Sequence, residues 1–166
     1  MKVLAFDQST RVTGWSVFDD GQYVTSGVID LHKNTDTEER SKQMAVEICK
    51  VIKKNKPDTT IIEEVQQQSN VATVIKLARI QGVAIGFCAA HNIELHILTP
   101  TRWRSALNYK QGPKVKREDL KQQSLDFVKT ELKLDIESED ENEACAINEA
   151  AHRIFGWSSE DDLWEI

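Results

Sequence analysis

Four carboxylates stand where they could act together. Asp7 closes the apolar run Val3-Leu4-Ala5-Phe6, Glu63 closes Thr60-Ile61-Ile62, and Asp140 and Glu143 lie three residues apart near the start of an amphipathic stretch. If the two apolar runs are neighbouring parallel strands, their carboxyl ends share one sheet edge, the edge where α/β folds bind ligands. Asp7 and Glu63 then sit side by side. A spacing of three puts Asp140 and Glu143 on one helix face, which continues into Ala144 and Ile147 and so turns inward. Four carboxylates converging in a partly buried site repel one another strongly, and hard divalent cations such as Mg²⁺ relieve that repulsion. Two such ions can activate a water and stabilise the leaving oxygen of a phosphodiester. The constellation predicts a metal-dependent nuclease or transferase.

Each acid also has a plainer reading. Asp7 alone could be a turn residue at a strand end, and Glu63 could be half of a solvated Glu63-Glu64 pair. The run Glu137 to Glu143, five acids in seven residues, could be a solvated helix start favoured by the macrodipole. The conjunction of the three positions with the order of the elements favours the chemical reading.

Those elements can be read from periodicity and punctuation. Lys2–Phe6, Thr13–Phe18 and Tyr23–Ile29 read as strands, the last two joined by the hairpin signal Asp19-Asp20-Gly21. Asp36-Thr37-Glu38-Glu39 has the form of a capping box before a helix carrying Met44, Ile48, Val51 and Ile52, which stops at Pro57. Thr59–Glu63 is a fourth strand. Asn70 can cap a helix to about His91, in which Ala78, Gly82, Gly86 and Ala90 form a row of small residues open to close helix approach. Ile93–Leu98 is a fifth strand, and Thr99-Pro100 starts a short helix through Leu107. After a loop from Asn108 to Val115 come helices from Lys116 to about Leu132 and from near Asp140 to Gly156, the last burying Ala144, Ile147, Ala151, Ile154 and Phe155. An antiparallel meander followed by right-handed parallel crossovers gives a mixed five-stranded sheet flanked by helices, the order of the RNase H-like fold.

Charge is unevenly placed along the 166 residues. The formal net charge is −6, but residues 135–166 hold 11 acids and one base, which leaves the preceding part at +4. Within it, Arg102, Arg104, Lys110, Lys114, Lys116 and Arg117 fall in a segment without an acid. Such a segment suits a phosphate backbone despite the overall sign, although basic loops also serve solubility. Trp103 and Tyr109 inside it could stack on bases, or anchor a short helix in the core.

At 40% hydrophobic and 29% charged, the chain suits one globular domain. The uninterrupted apolar stretches fall short of the roughly 20 residues of a membrane span, so no membrane helix is expected. Met1-Lys2 runs directly into Val3-Leu4-Ala5-Phe6 without a long apolar segment or a small-residue cleavage site, so no targeting segment is expected either. Cys49, Cys88 and Cys145 are odd in number and scattered, which excludes a CxxC metal knuckle and a fully paired disulfide framework and fits a reducing cytoplasm. His32, His91, His96 and His152 show no ligand-type pairing.

With these residues in place the chain resembles the RuvC-type Holliday junction resolvases, and in its departures a phage-encoded member acting in a host cytoplasm. Asp7-Gln8-Ser9-Thr10-Arg11-Val12-Thr13-Gly14 is similar to the family's D-P-G-S-x-x-T-G opening. Ile61-Ile62-Glu63-Glu64-Val65 resembles its I-E-x-V strand end, which selects Glu63 over Glu64. Leu77-Ala78-Arg79-Ile80-Gln81-Gly82-Val83-Ala84-Ile85 resembles the dimer-interface helix L-x-x-A-R-G-V-A-I, and Asp140-Glu141-Asn142-Glu143-Ala144 resembles the terminal D-x-x-D-A. The resemblance implies a homodimer, formed through the helix around 70–91, that binds four-way DNA junctions and nicks two strands with Mg²⁺ or Mn²⁺, two ions per site. It implies Asp7, Glu63, Asp140 and Glu143 as catalytic and metal-holding residues, and matches Arg104 and one of Lys114, Lys116 and Arg117 to the family's catalytic-region lysines. Residues 1–157 would form the nuclease domain and 158–166 an acidic tail.

The departures are specific. Gln8 and Ser9 replace Pro-Gly, so this backbone must avoid conformations that only glycine tolerates. Glu143 is one methylene longer than Asp. Gln66 stands where the family has an aromatic residue, which weakens base stacking and points to relaxed selectivity among branched DNAs. Two other functions fit parts of the sequence: a non-catalytic branched-DNA-binding protein using the basic segment alone, and a nucleotide-binding lobe of the actin and sugar-kinase class, which would need a second lobe.

Overall fold

The computed structural model describes residues 1–66 and 70–157; the acidic tail expected at 158–166 lies outside them. Five strands, β1 (Lys2–Asp7), β2 (Val12–Asp19), β3 (Gln22–Asp30), β4 (Thr59–Glu63) and β5 (Glu94–Leu98), form one sheet in the order β3-β2-β1-β4-β5. The pairs β1–β2 and β2–β3 are antiparallel, whereas β1–β4 and β4–β5 are parallel. Among the described residues five helices accompany them: α1 (Thr37–Asn55), α2 (Val71–Ala90), α3 (Pro100–Ala106), α4 (Arg117–Thr130) and α5 (Glu139–Phe155). This is the mixed sheet of an RNase H-like fold, as the order of the elements implies.

Local chemistry accounts for the joints. Asp20 and Gly21 both have positive φ, 48° and 75°, the pairing that a two-residue hairpin turn requires to match strand twist. Asp36 caps α1 by accepting from the Glu38 and Glu39 backbone amides at 2.9 and 3.0 Å. The expected capping box is only half made, because the Asp36 amide donates to Asn34 Oδ1 instead. Neither Gln8 nor Ser9 has positive φ. Their turn is held by side chains: Ser9 Oγ accepts from the Arg11 and Val12 amides, and Thr13 Oγ1 donates to the Ser9 carbonyl at 3.0 Å.

The sheet is covered on both faces. Val3 and Ala5 belong to a core shared with α3, α4 and α5, whereas Leu4 and Phe6 belong to one shared with α1 and α2. A central strand buried on both sides reads as the continuous apolar run seen in β1. Helix α5 approaches the sheet closely, since Ser16 Oγ donates to the Ala144 carbonyl at 2.8 Å and Asn148 Nδ2 donates to the Val3 and Ser16 carbonyls, each at 3.1 Å. Ile154 and Phe155, expected to be buried on α5, are only half-buried near its end.

Helix α2 corrects one expectation. By length and composition it is the one helix among the described residues apolar enough to cross a membrane. Counting uninterrupted apolar runs missed it, because Lys76, Arg79 and Gln81 interrupt a helix that is otherwise almost wholly apolar or small. Its Leu77, Ile80, Ala84 and Cys88 are buried, while much of the rest of the helix is exposed. The row Ala78, Gly82, Gly86 and Ala90 is free of any other helix among the described residues: all four are exposed, and a Cβ added at Gly82 or Gly86 would meet nothing within 4 Å.

Candidate active site

Two parallel neighbours deliver the first pair of acids. Asp7 ends β1 and Glu63 ends β4, and the register pairing Phe6 with Ile62 puts both at one sheet edge. Asp140 and Glu143 come from the first turns of α5, which is capped by Ser138. All four line a single cavity of about 550 Å³. Glu64 is not among its lining residues, and its carboxylate accepts from the Val65 amide at 3.0 Å.

Backbone space makes this convergence possible. Gly14 lies opposite Asp7 in the β1–β2 register, and a Cβ there would stand 1.9 Å from the Asp140 carbonyl oxygen. Only a residue without a side chain lets the start of α5 pass so near the strand. The same turn of α5 is tied to β3, where Ser26 Oγ donates to Glu141 Oε1 at 2.5 Å.

The site is electrostatically strained towards protonation. Burial pushes the Asp7 carboxyl well above the ordinary carboxylate range, and the charges of Glu143, Glu63 and Asp140 push it further. Burial also raises Glu63, Asp140 and Glu143, against the opposing influence of the Trp103 hydrogen bond and Arg104 at Glu63, of Lys121 at Asp140 and of Arg104 at Glu143. Among the described residues, no three His, Cys, Asp or Glu side chains close on one point as a finished ion cage. The Asp7 and Glu143 carboxyls are still close enough to share a hydrogen bond, in which Asp7 is the protonated partner. The donor set nonetheless fits a hard divalent cation: it offers carboxylate oxygens only, half-buried and short of positive charge.

The six bases of the predicted DNA-binding segment separate in space. Arg104 and Arg117 line the carboxylate cavity, with Arg104 Nη2 4.0 Å from Glu143 Oε1. Arg102 does not join them, as its guanidinium lies over the Phe155 ring at 5.5 Å. Residues two apart on a helix point about 200° apart, so Arg102 and Arg104 serve different surfaces. Lys110, Lys114 and Lys116 are exposed in the loop before α4. That loop folds back on its neighbours, since Gln111 Nε2 donates to the Thr101 carbonyl and the Lys110 amide donates to Gln123 Oε1. Trp103 and Tyr109 are core residues rather than stacking platforms: Trp103 is fully buried and packs edge-on against Tyr109 at 5.6 Å. Burial pushes the Tyr109 hydroxyl up to about 12.

Two contributors escaped the sequence. Lys121 on α4 forms an ion pair with Glu139 and acts on the Asp140 charge, yet in sequence it resembles any solvated helix lysine. Trp103 Nε1 donates to Glu63 Oε2 at 2.6 Å.

Fold and site together define an RNase H-like domain with a four-carboxylate centre flanked by arginines. More particularly, the chain belongs to the RuvC family: the model of crossover junction endodeoxyribonuclease RuvC matches residues 3–151. RuvC proteins of Hydrogenovibrio crunogenus and Pelodictyon phaeoclathratiforme are 31% identical over 110 residues and 32% identical over 114, which is 64% and 66% of this chain. Those alignments span 63% and 60% of the relatives' own length, less than two thirds. Thermus thermophilus RuvC in complex with a Holliday junction substrate superposes with a TM-score of 0.72 at 14% identity, covering 94% of this chain and 95% of that one. The yeast mitochondrial Holliday junction resolvase gives 0.63 at 12% identity, covering 93% and 80%. These likenesses establish the fold.

Proposed function

We propose that this protein is a metal-dependent, structure-selective DNA endonuclease that resolves four-way junctions by paired nicking, as a homodimer acting on DNA in the cytoplasm. The observation that carries the reading is the meeting of Asp7, Glu63, Asp140 and Glu143 in one cavity that Arg104 and Arg117 also line. Asp7, Glu63, Asp140 and Glu143 would hold Mg²⁺ or Mn²⁺, two ions per site, which when bound supplies a more acidic water and neutralises charge developing on the phosphodiester. Arg104 and Arg117 face the same space and can meet phosphate oxygens. Lys110, Lys114 and Lys116 present charge outside the cavity, where they can follow the backbone of a DNA arm; Arg102, turned towards Phe155, adds to that outer surface. Gln66 lines the cavity, a polar residue where an aromatic would stack on a base, so cleavage of forks beside junctions is expected.

The test is strand scission of an end-labelled four-way junction beside a linear duplex and a fork, with Mg²⁺, Mn²⁺ or EDTA. Nicking of the branched DNAs only with metal is expected. Binding without scission in either metal would make this a junction-binding protein and overturn the enzymatic reading.

The open face of α2 is the proposed dimer contact. Val71, Ile75, Val83 and Ile85 are 40–66% exposed beside the bare row of Ala78, Gly82 and Gly86, a surface on which a second copy can pack closely. A Cβ at Gly86 would meet nothing within 4 Å, so the monomer should accept Gly86→Leu and fold. Overpacking at the contact is expected to raise the dimer dissociation constant roughly 10–100-fold, measurable by sedimentation equilibrium. Unchanged self-association would place the dimer contact elsewhere.

A further inference from the structure

Trp103 is a core residue, yet it is also a fully buried side chain in direct polar contact with the acidic centre. Its ring edge donates Nε1–H to Glu63 Oε2 at 2.6 Å, the one hydrogen bond to that carboxylate among the described residues. Its face carries the Arg104 guanidinium, with Cζ 4.8 Å from the ring centroid, and Arg104 in turn reaches towards Glu143. Tyr109 packs edge-on against the same ring and against Phe127 in turn, so the fully buried indole is enclosed by aromatic neighbours. One rigid group therefore fixes an acid through its edge and a base through its face.

We propose that Trp103 is the positioning residue of the centre: its indole N–H occupies Glu63 Oε2 and leaves Oε1 as the oxygen that Glu63 offers to a divalent cation. The proposal rests on the metal-dependent reading above and deepens it. A buried indole must find an acceptor for its N–H, and a partner bonded to a metal-holding carboxylate sets both its orientation and its remaining lone pairs. The Trp103–Glu63 contact does both without adding charge. It also accounts for a Trp between two arginines: Arg104 uses the face, Glu63 uses the edge, and Arg102 turns away.

The experiment measures Mn²⁺ binding to DNA-free protein, by calorimetry and by electron paramagnetic resonance, in wild type, in Trp103→Phe and in protein carrying 3-benzothienylalanine at position 103. Phenylalanine keeps a face for Arg104 but loses volume. The benzothienyl analogue keeps the bicyclic shape and lacks only the N–H donor, so it remains informative if Trp103→Phe folds poorly. Affinity reduced roughly 10–100-fold in the analogue is expected, the range in which outer partners of metal ligands act, with cleavage recovering towards wild type as Mg²⁺ is raised. Wild-type affinity in the analogue would overturn the positioning role and leave the nuclease reading standing. Absence of Mn²⁺ binding in the wild type itself would overturn both.

Discussion

Asp7→Asn is expected to lower junction cleavage by roughly 10³-fold or more while making the metal-free protein more stable. The two effects share one cause. Asp7 sits where β1 meets β4 and α5, and its charge is opposed by burial and by three other carboxylates. Because the folded-state carboxyl titrates above its unfolded value, the folded metal-free protein binds more protons than the unfolded chain between those two values. Its stability therefore falls as pH rises through that window and stays reduced at neutral pH. Asn keeps the shape and removes the charge, so the variant should melt at higher temperature at pH 7 and show a flatter dependence on pH above the unfolded carboxylate range. A gain on the order of 1 kcal/mol, typical for relief of a strained functional site, corresponds to roughly 2–4 °C in a domain of this size. Catalysis moves the other way, since losing an ion-holding carboxylate forfeits several kcal/mol of transition-state stabilisation. Junction binding, which the proposed function assigns to the arginines and lysines, should persist. Thermal melts from pH 4 to 8 in EDTA, paired with single-turnover cleavage and gel-shift titrations, check all three. An Asp7→Asn protein that cleaves normally, or that is less stable in EDTA at pH 7, would remove Asp7 from the centre.

What the sequence disclosed, and what it withheld, follows physical lines. Asp7 and Glu63 were legible because each ends a short apolar run, and strand order then places two such ends together. Asp140 and Glu143 were legible because helical spacing ties them to Ala144 and Ile147, whose burial fixes which way the face points. Features that depend on the third dimension alone were not. Arg102 and Arg104 look equivalent in sequence but diverge on α3, and Lys121 acquires meaning only through α4 lying beside α5. Trp103 carries both an apolar body and a donor, so its type suits a base platform and a core anchor equally until its surroundings are known. Gln81 is similar: it looks polar on an apolar helix, but it is buried and donates from Nε2 to the Glu63 carbonyl at 3.1 Å, linking α2 to the end of β4.

Gly14→Ala should disable the centre without touching any carboxylate. In β2 this residue is buried opposite Asp7, and the nearest obstacle to an added methyl is the backbone carbonyl of Asp140 at 1.9 Å, followed by its carbonyl carbon at 2.3 Å and the Glu141 amide nitrogen at 2.8 Å. Backbone cannot yield by changing rotamer. Either β2 bends or the first turn of α5 moves away, and that turn is held by the Ser26–Glu141 bond on one side and by Ser16 and Asn148 further along. Those anchors oppose a simple slide of the helix, so the strain should appear as lost stability of about 3 kcal/mol, the upper part of the range for overpacked cores. That is a fall in melting temperature of roughly 6–12 °C. Asp140 and Glu143 travel with the displaced turn, so Mn²⁺ affinity and cleavage should fall together even at temperatures where the variant remains folded. If Gly14→Ala melted and bound Mn²⁺ like wild type, α5 could not lie against β2 as described, and the four carboxylates could not share one cavity.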